Sequence, residues 1–435
     1  MSKKLIVFLV ILGLVAPAYA AVQNVKVSGD LTLQAISRDG FTLTKNPKYK
    51  RSGLTSAARL RVDADLTENV TATIRLLNER SWNEESVDST EVKLDLAYVT
   101  LKEMLYSPLT LIAGRQELRF GNALIIGDSD TNIFASTRFV PYDLSLKKAF
   151  DAVRATLNYD PIVVDLVYAK INENEWMRQW WQLLPDRPER RDIDLYGVNA
   201  RYDLTDTGIK GSAELYCFSR YNRLAINTTG KKDTCHTVGT LLSGEIAENL
   251  AGSLEYAYQF GNVAVGSANF KRRAWALQGG LNYTLPVDMS SSVGLVYTYL
   301  SGDKDPRSGK YKYWDPMFED QTPNAIPNAL FAASNVQLIN LKGSVKPAED
   351  ITLLAVYGSY RLAQKMSTLT DGHYGTYVMT DKKNLGNALD LTALYDYTED
   401  VQIGLTFGWF DPGKAFSKAN RKNATQLIGS MKVTF

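Results

Sequence analysis

Four side chains out of 435 residues offer imidazole or thiol chemistry: His236, His373, Cys217 and Cys235. A nucleophilic mechanism needs an activated nucleophile within hydrogen-bond reach of a base. His236 sits beside Cys235 and His373 lies in a polar stretch, and neither carries a serine motif, so an enzyme is not expected. Asp128, Asp130 and Asn132 open like a calcium loop, but Ile133 stands where the tight-turn glycine belongs, so neither metal nor other cofactor is expected. Cys217 and Cys235 bracket one polar segment; in an exported chain they can close a disulfide or stay as two thiols, and the sequence leaves both open.

The richer chemistry is in charges spaced two apart. Arg59, Arg61, Asp63 and Asp65 alternate with Leu60, Val62, Ala64 and Leu66; Arg75 follows Thr71 and Thr73 in the next segment, opposite in phase to Val70, Ala72, Ile74 and Leu76. The same phase collects Lys93 and Asp95, Arg154, Asp165, Asn199 and Arg201, and Lys210, Ser212 and Glu214. Period-two alternation puts these residues on one face of a sheet and the apolar ones on the other. An arginine facing lipid near the midplane costs about 2–4 kcal/mol, so the charged face must look into water. Interleaved cations and anions on such a face suit a water-filled conduit for a polar solute. They equally suit mutual pairing that stiffens a wall.

The elements that would hold this face repeat along the whole chain. Eighteen alternating segments run from 25–37 to 425–435, an even number. Their connections alternate in length: Thr67-Glu68-Asn69, Asp160-Pro161, Ala247-Glu248-Asn249 and 397–400 are tight, whereas 38–55, 118–150, 171–193, 219–235, 302–334 and 363–386 are long. A sandwich or propeller gives no reason for every second connection to be long. A closed transmembrane barrel with short periplasmic turns and long extracellular loops does, and lipid demands closure because no backbone group can be left unpaired in hydrocarbon. The expected fold is therefore an all-β, antiparallel transmembrane β-barrel of about eighteen strands, occupying residues 21–435 as one domain. Tyrosines within or at the ends of these segments, among them Tyr98, Tyr168, Tyr256, Tyr297 and Tyr395, gain a place as candidate interface girdle residues, some of which will instead point inward.

The N-terminus reads as a signal peptide over residues 1–20: Lys3 and Lys4, an apolar stretch from Leu5 to Val15, and the small-residue signature Ala18-Tyr19-Ala20. That stretch is too short to span a bilayer comfortably as a retained anchor. Without its two lysines the 49 basic residues become 47, equal to the 47 acidic ones, so no bulk attraction to nucleic acid is expected. The alternating C-terminal segment ends on Phe435, which resembles the signature that barrel-assembly machinery reads on bacterial outer-membrane proteins. An outer-membrane location follows.

The chain also resembles the alginate-export family of outer-membrane porins. The resemblance rests on Gly114-Arg115-Gln116-Glu117-Leu118, then Phe120-Gly121-Asn122, and after a long loop Ala149-Phe150-Asp151-Ala152-Val153-Arg154, with a weaker echo in Tyr313-Trp314-Asp315-Pro316-Met317-Phe318. It implies an electropositive constriction passing an anionic polysaccharide, and by motif it adds Arg115, Glu117 and Asp151 to Arg154 as lining residues. For Arg115 the alternation is ambiguous, because Thr110, Ile112 and Gly114 compete with Leu109, Leu111 and Ala113 for the outer face.

Two loop features are further candidates. Trp176, Arg178, Trp180, Trp181, Arg187, Arg190 and Arg191 could stack on sugar rings and hold carboxylates, or simply pack over the barrel. Lys271, Arg272 and Arg273, with Arg421 and Lys422, could meet lipopolysaccharide phosphates, or form a solvated rim. The functional expectation is a channel for passive export or diffusion of an anionic polysaccharide or small anionic solute. The competing expectation is a structural or adhesive barrel whose loops fill the lumen.

Overall fold

The computed structural model describes residues 24–45, 50–82, 92–129, 142–171, 193–222, 230–265, 268–287, 289–305, 308–371 and 375–435. Its strands are β1 (Asn24–Asp39), β2 (Arg51–Thr67), β3 (Val70–Ser81), β4 (Lys93–Leu101), β5 (Leu109–Gln116), β6 (Phe150–Asn158) and β7 (Ile162–Ile171). Then come β8 (Ile193–Asp203), β9 (Gly211–Asn222), β10 (Asp233–Ala247), β11 (Leu250–Val265), β12 (Ala268–Thr284), β13 (Ser292–Leu300) and β14 (Lys310–Tyr311). After the helix α1 (Ala325–Leu330) follow β15 (Val336–Ala348), β16 (Ile351–Leu362), β17 (Thr368–Asp371), β18 (Gly375–Val378), β19 (Asn384–Asp396), β20 (Val401–Pro412) and β21 (Ala424–Thr434). The expected signal peptide (1–20), the tryptophan-arginine stretch at 176–191, Asp130, Asn132 and His373 lie outside the described residues.

Eighteen strands form the wall; β14, β17, β18 and α1 belong to loops. Each wall strand pairs antiparallel with its neighbour in the chain, and β21 returns to β1, with Asp30 opposite Thr434 and Asp39 opposite Thr425. Closure removes every free edge, which is what lets a sheet stand in hydrocarbon. All eighteen observed strands coincide with the alternating segments of the sequence to within a few residues. No described helix is long and apolar enough to cross a membrane.

Burial is inverted relative to a water-soluble protein. Leu60, Ile74, Val99, Leu166, Val198, Leu254 and Leu295 are exposed, while Arg75, Asp95, Asp165, Asn199, Gln259 and Asn340 are buried. The apolar face therefore points to lipid. Aromatic rings band it at both ends. Toward the loops, Tyr168, Tyr196, Tyr221, His236 and Phe260 contact one another in sequence across five strands, and Trp275 stacks on Tyr299 at 4.3 Å. Toward the turns, the hydroxyls of Tyr106 and Tyr159 meet at 2.8 Å, and Phe435 exchanges backbone bonds with Gly29. Of the proposed girdle tyrosines, Tyr98 turns inward, opposite buried Thr73.

One irregularity changes the inward set. Across β3 and β4, Arg75 faces Leu96 and Leu76 faces Leu94, leaving Asp95 as an extra residue in a bulge. Strict alternation would send Leu96 to lipid; the bulge turns both Asp95 and Leu96 inward, where each is buried.

Cys217 and Cys235 are free thiols on opposite faces. Cys217 is exposed, in register with lipid-facing Val238, whereas Cys235 is fully buried and in register with Arg220. Facing opposite ways, they cannot be bridged without turning a strand over. A maleimide should thus label one thiol per folded chain and two after denaturation, with reductant leaving mobility unchanged. Two reactive thiols in the folded barrel would contradict this placement.

Candidate functional site: the inward face and the loops folded over it

A barrel of this strand number is too wide for its own side chains to fill. Two features occupy the interior: a charged stripe on β1–β8, and loops packed against the remaining wall.

The stripe begins at β1–β3. Arg59 Nε donates to Asp30 Oδ1 at 2.8 Å, and Arg61 makes a two-pronged contact with Asp63 at 2.7 and 2.9 Å. Arg61 stands directly across from Arg75. Like charges opposite each other repel, and carboxylates surround the pair: Asp63 engages Arg61, while Arg75 donates to Asp95 at 2.5 Å and to Glu117. Farther round, Arg154 Nε donates to Asp165 at 2.8 Å, Thr156 donates to the same carboxylate oxygen, and the guanidinium lies over the Phe120 ring. Arg201 and Glu214 face each other across β8 and β9. Geometry thus brings Arg59, Arg61, Arg75, Asp95, Glu117, Arg154 and Asp165 onto one inward sector, with Arg201 and Glu214 nearer the turns.

Arg115 and Asp151 do not join them. Asp151 shares its face with exposed Val153, and Ala113, two residues before Arg115, faces exposed Val99. This resolves the ambiguity of β5: Leu109, Leu111 and Ala113 are outward, so Arg115 is outward too. Gly114 fits the same picture, with φ +124° and a position where an added Cβ would lie 2.2 Å from the Ala97 carbonyl oxygen, tolerable only for glycine. Arg115, Asp151, Lys170 and Asp194 follow one another in register across four strands near the loop rim, alternating in sign. The two motif residues lace the outer rim instead of lining the interior.

The loops supply what the sequence did not reveal. Residues 117–129 and 314–320 meet inside the barrel, where Ile126 bridges Phe318 and the Phe318 N–H donates to the Ile125 carbonyl. Around them Leu118, Phe120, Ile126, Phe150, Phe218, Trp314 and Phe318 form one apolar cluster. A second cluster joins Phe41, α1, Tyr360, Tyr377, Phe410 and Phe416. Both segments belong to connections that their length marks only as long loops, and their described parts lie inside the barrel.

Asp315 is held hard. Arg220 grips its carboxylate with two hydrogen bonds of 3.0 and 2.6 Å, Arg272 approaches to 3.1 Å, and Gln259 brackets its backbone at 2.7 and 2.9 Å. Burial pushes the Asp315 carboxyl up, but the two guanidinium groups outweigh it and hold it below the usual carboxylate range. These residues were missed because Arg220 lies beyond the clearest alternation of its strand and Arg272 reads as the middle of a basic triplet. Only its phase, shared with Gln278 and opposite to Trp275 and Leu277, marks it as inward.

Between the 320–334 stretch and the wall runs a cavity of about 380 Å³, bordered by Arg119, Gln278, Thr298, Asp320, Asn328 and Lys342. At its edge Arg119 and Lys148 both contact Asp320, at 2.6 and 2.5 Å. Beside it, burial pushes Glu319 up to about 8, with Asp320 and Asp128 adding to the rise and the Gln321 N–H and Lys148 opposing it. A loop-released Glu319 would titrate near 4.5, so between pH 4.5 and 8 the released state binds fewer protons than the packed one. Loop attachment should weaken as pH climbs through that window and level off above it. Current fluctuations from a reconstituted channel should accordingly be more frequent at pH 8 than at pH 5, and Glu319→Gln should remove the difference.

No group of three or more His, Cys, Asp or Glu side chains suited to a metal occurs among the described residues. A closed barrel with a polar interior, an apolar exterior banded by aromatics, and loops narrowing its mouth is an outer-membrane channel of porin type. Solved structures share this fold over nearly the whole chain. OccK11 (OpdR) of Pseudomonas aeruginosa superposes with a TM-score of 0.56 at 14% identity, covering 95% of this chain and 97% of that one. OpdL of the same organism gives 0.57 at 12%, covering 95% and 99%. OccAB4 of Acinetobacter baumannii gives 0.55 at 12%, covering 96% and 100%. At those identities the likeness is one of fold. The family is defined by sequence: the model for alginate export matches residues 24–430, and the chain belongs to that family. No curated protein sequence matches it.

Proposed function

We propose that this outer-membrane channel passes an anionic polysaccharide, or a related polar anionic solute, passively along the arginine stripe of Arg59, Arg61, Arg75 and Arg154. The observation that carries the reading is the Arg61–Arg75 apposition. The two arginines stand opposite each other in register, each engaged by nearby carboxylates, so the stripe presents neighbouring cations, with Arg61 still partly open to solvent. A carboxylate-bearing chain can exchange from one guanidinium to the next, each contact being favourable enough to enter and weak enough to leave. Glu117, Asp165, Arg201 and Glu214 complete the lining in this reading, and the paired acids keep any single cation from holding its solute too tightly.

The test is planar-bilayer conductance of the refolded protein with oligosaccharides as blockers. Oligouronates should block at concentrations well below those of neutral oligosaccharides of equal length. Equal block would defeat the anionic assignment, and absence of any current would defeat transport. The two apolar loop clusters favour the competing reading, a barrel closed by its own loops, which requires that last result.

A further inference from the structure

The outward rim is charged in two different ways. On β5–β8 the row Arg115, Asp151, Lys170, Asp194 alternates in sign and compensates itself. On β11 and β12 it does not. Lys271 and Arg273 share the outward face with Trp275, all three exposed, while Arg272 and Ala274 between them are buried. β14 then runs parallel to β12 and places Lys310 directly beside Lys271. Lys310 is exposed, whereas its neighbour Tyr311 turns inward beneath the Arg272 guanidinium at 5.7 Å.

Three cations thus stand on one outward patch with two lysines in register. Among the described residues none of the three makes an ion pair; Lys271 reaches only the Asn262 side-chain oxygen, at 3.0 Å. Like charges directly across a strand pair are destabilising unless an anion sits between them. The level of the patch says which anion. Trp275, stacked on Tyr299, marks the membrane interface. Arg273 lies two residues and Lys271 four residues further toward the loops, which at ~3.3 Å per residue and a strand tilt of ~40° is about 5 and 10 Å above that belt. That is headgroup height, where phosphates of outer-leaflet glycolipid are found and where aqueous solutes meet no second wall.

We infer that Lys271, Arg273 and Lys310 form a docking site for the phosphate groups of the outer-leaflet glycolipid, with Trp275 and Phe260 resting on its acyl and sugar region. The other basic rim candidates do not fit this role: Lys422 is ion-paired with Asp39, and Arg421 spends its guanidinium on the carbonyls of Phe416 and Lys414.

The test measures binding of bis-phosphorylated lipid A to the detergent-refolded full chain, beside the same glycolipid stripped of phosphate and beside phosphatidylglycerol. The wild type should prefer the bis-phosphorylated form over each of the others by at least tenfold. Lys271→Ala/Arg273→Ala/Lys310→Ala should lose that preference, whereas Lys271→Arg/Lys310→Arg should keep it and Arg115→Ala/Lys170→Ala, on the compensated rim, should not touch it. Folding of each variant is read from its heat-modifiable migration; should the triple variant not fold, Lys310→Ala alone must show part of the loss. Equal binding of the dephosphorylated lipid or of phosphatidylglycerol, an unaltered alanine variant, or equal loss on the compensated rim would each overturn the site.

Discussion

Asp315→Ala should produce a channel that conducts more and fluctuates more than the wild type while the barrel itself stays folded. Asp315 is the one carboxylate that both Arg220 and Arg272 contact closely; the alternative partner, Asp233, is 3.9 and 3.5 Å away. Removing one partner of a buried ion pair costs about 3–5 kcal/mol, because the remaining charge is left in a poor environment. Here two guanidinium groups are left. The wall is held by continuous strand pairing that does not involve Asp315, so the loss falls on the loop. Once unlatched, the segment around Asp315 can part from the Arg220–Arg272 wall and widen the lumen, while α1 stays in its own cluster. Single-channel recording in planar bilayers checks this, with heat-modifiable migration to show that the barrel persists. Arg220→Ala should act in the same direction. Unchanged conductance in both would mean that the loop is held without this latch, by its apolar contacts with Ile126 and Phe150 and the ion pairs of Asp320.

The second large effect concerns ion preference. Arg61→Glu changes the charge at one point of the stripe by two units without burying anything, because Arg61 is 38% exposed and its partner Asp63 is 31% exposed. For an ion passing about 7 Å away in water, each unit is worth ~0.6 kcal/mol, roughly halved by screening at 0.1 M, so the two-unit reversal shifts a cation and an anion by ~0.6 kcal/mol in opposite senses, ~1.2 kcal/mol between them, or roughly eightfold in relative permeability. The reversal potential under a salt gradient should move toward cations by that ratio near 0.1 M. At 1 M, where the screening length falls to about 3 Å, the shift should largely vanish. Arg154→Ala should move the preference the same way but less, and at a cost in stability, since buried Asp165 then keeps only its Thr156 bond. An ion preference indifferent to Arg61→Glu would place the conduction path elsewhere, most directly along the cavity beside Asp320.

How far the sequence reaches can be argued residue by residue. Alternation is set by the pleat, so wherever β2 and β3 pair without interruption, Arg59, Arg61 and Arg75 could be assigned to the inner face and Leu60 and Ile74 to lipid from spacing alone. The rule fails where the backbone departs from the pleat. The bulge at Asp95 brings Leu96 inward, and no residue type at that position announces it. On β5 both alternating sets are apolar, so only the partner strands, with Val99 and Val153 on the lipid side, decide that Arg115 and Asp151 belong to the rim.

Strand number, closure, the lipid-facing band and most of the arginine stripe are local and periodic, and the sequence by itself determined them. Three things were decided only by tertiary structure: the inward fold of the loops, the grip of Arg220 and Arg272 on Asp315, and the meeting of Lys310 with Lys271. Each joins residues from about forty to more than three hundred positions apart in the chain. Such contacts depend on which loop finds which wall, and that is set by the shape and charge of the closed barrel, which no window along the chain contains.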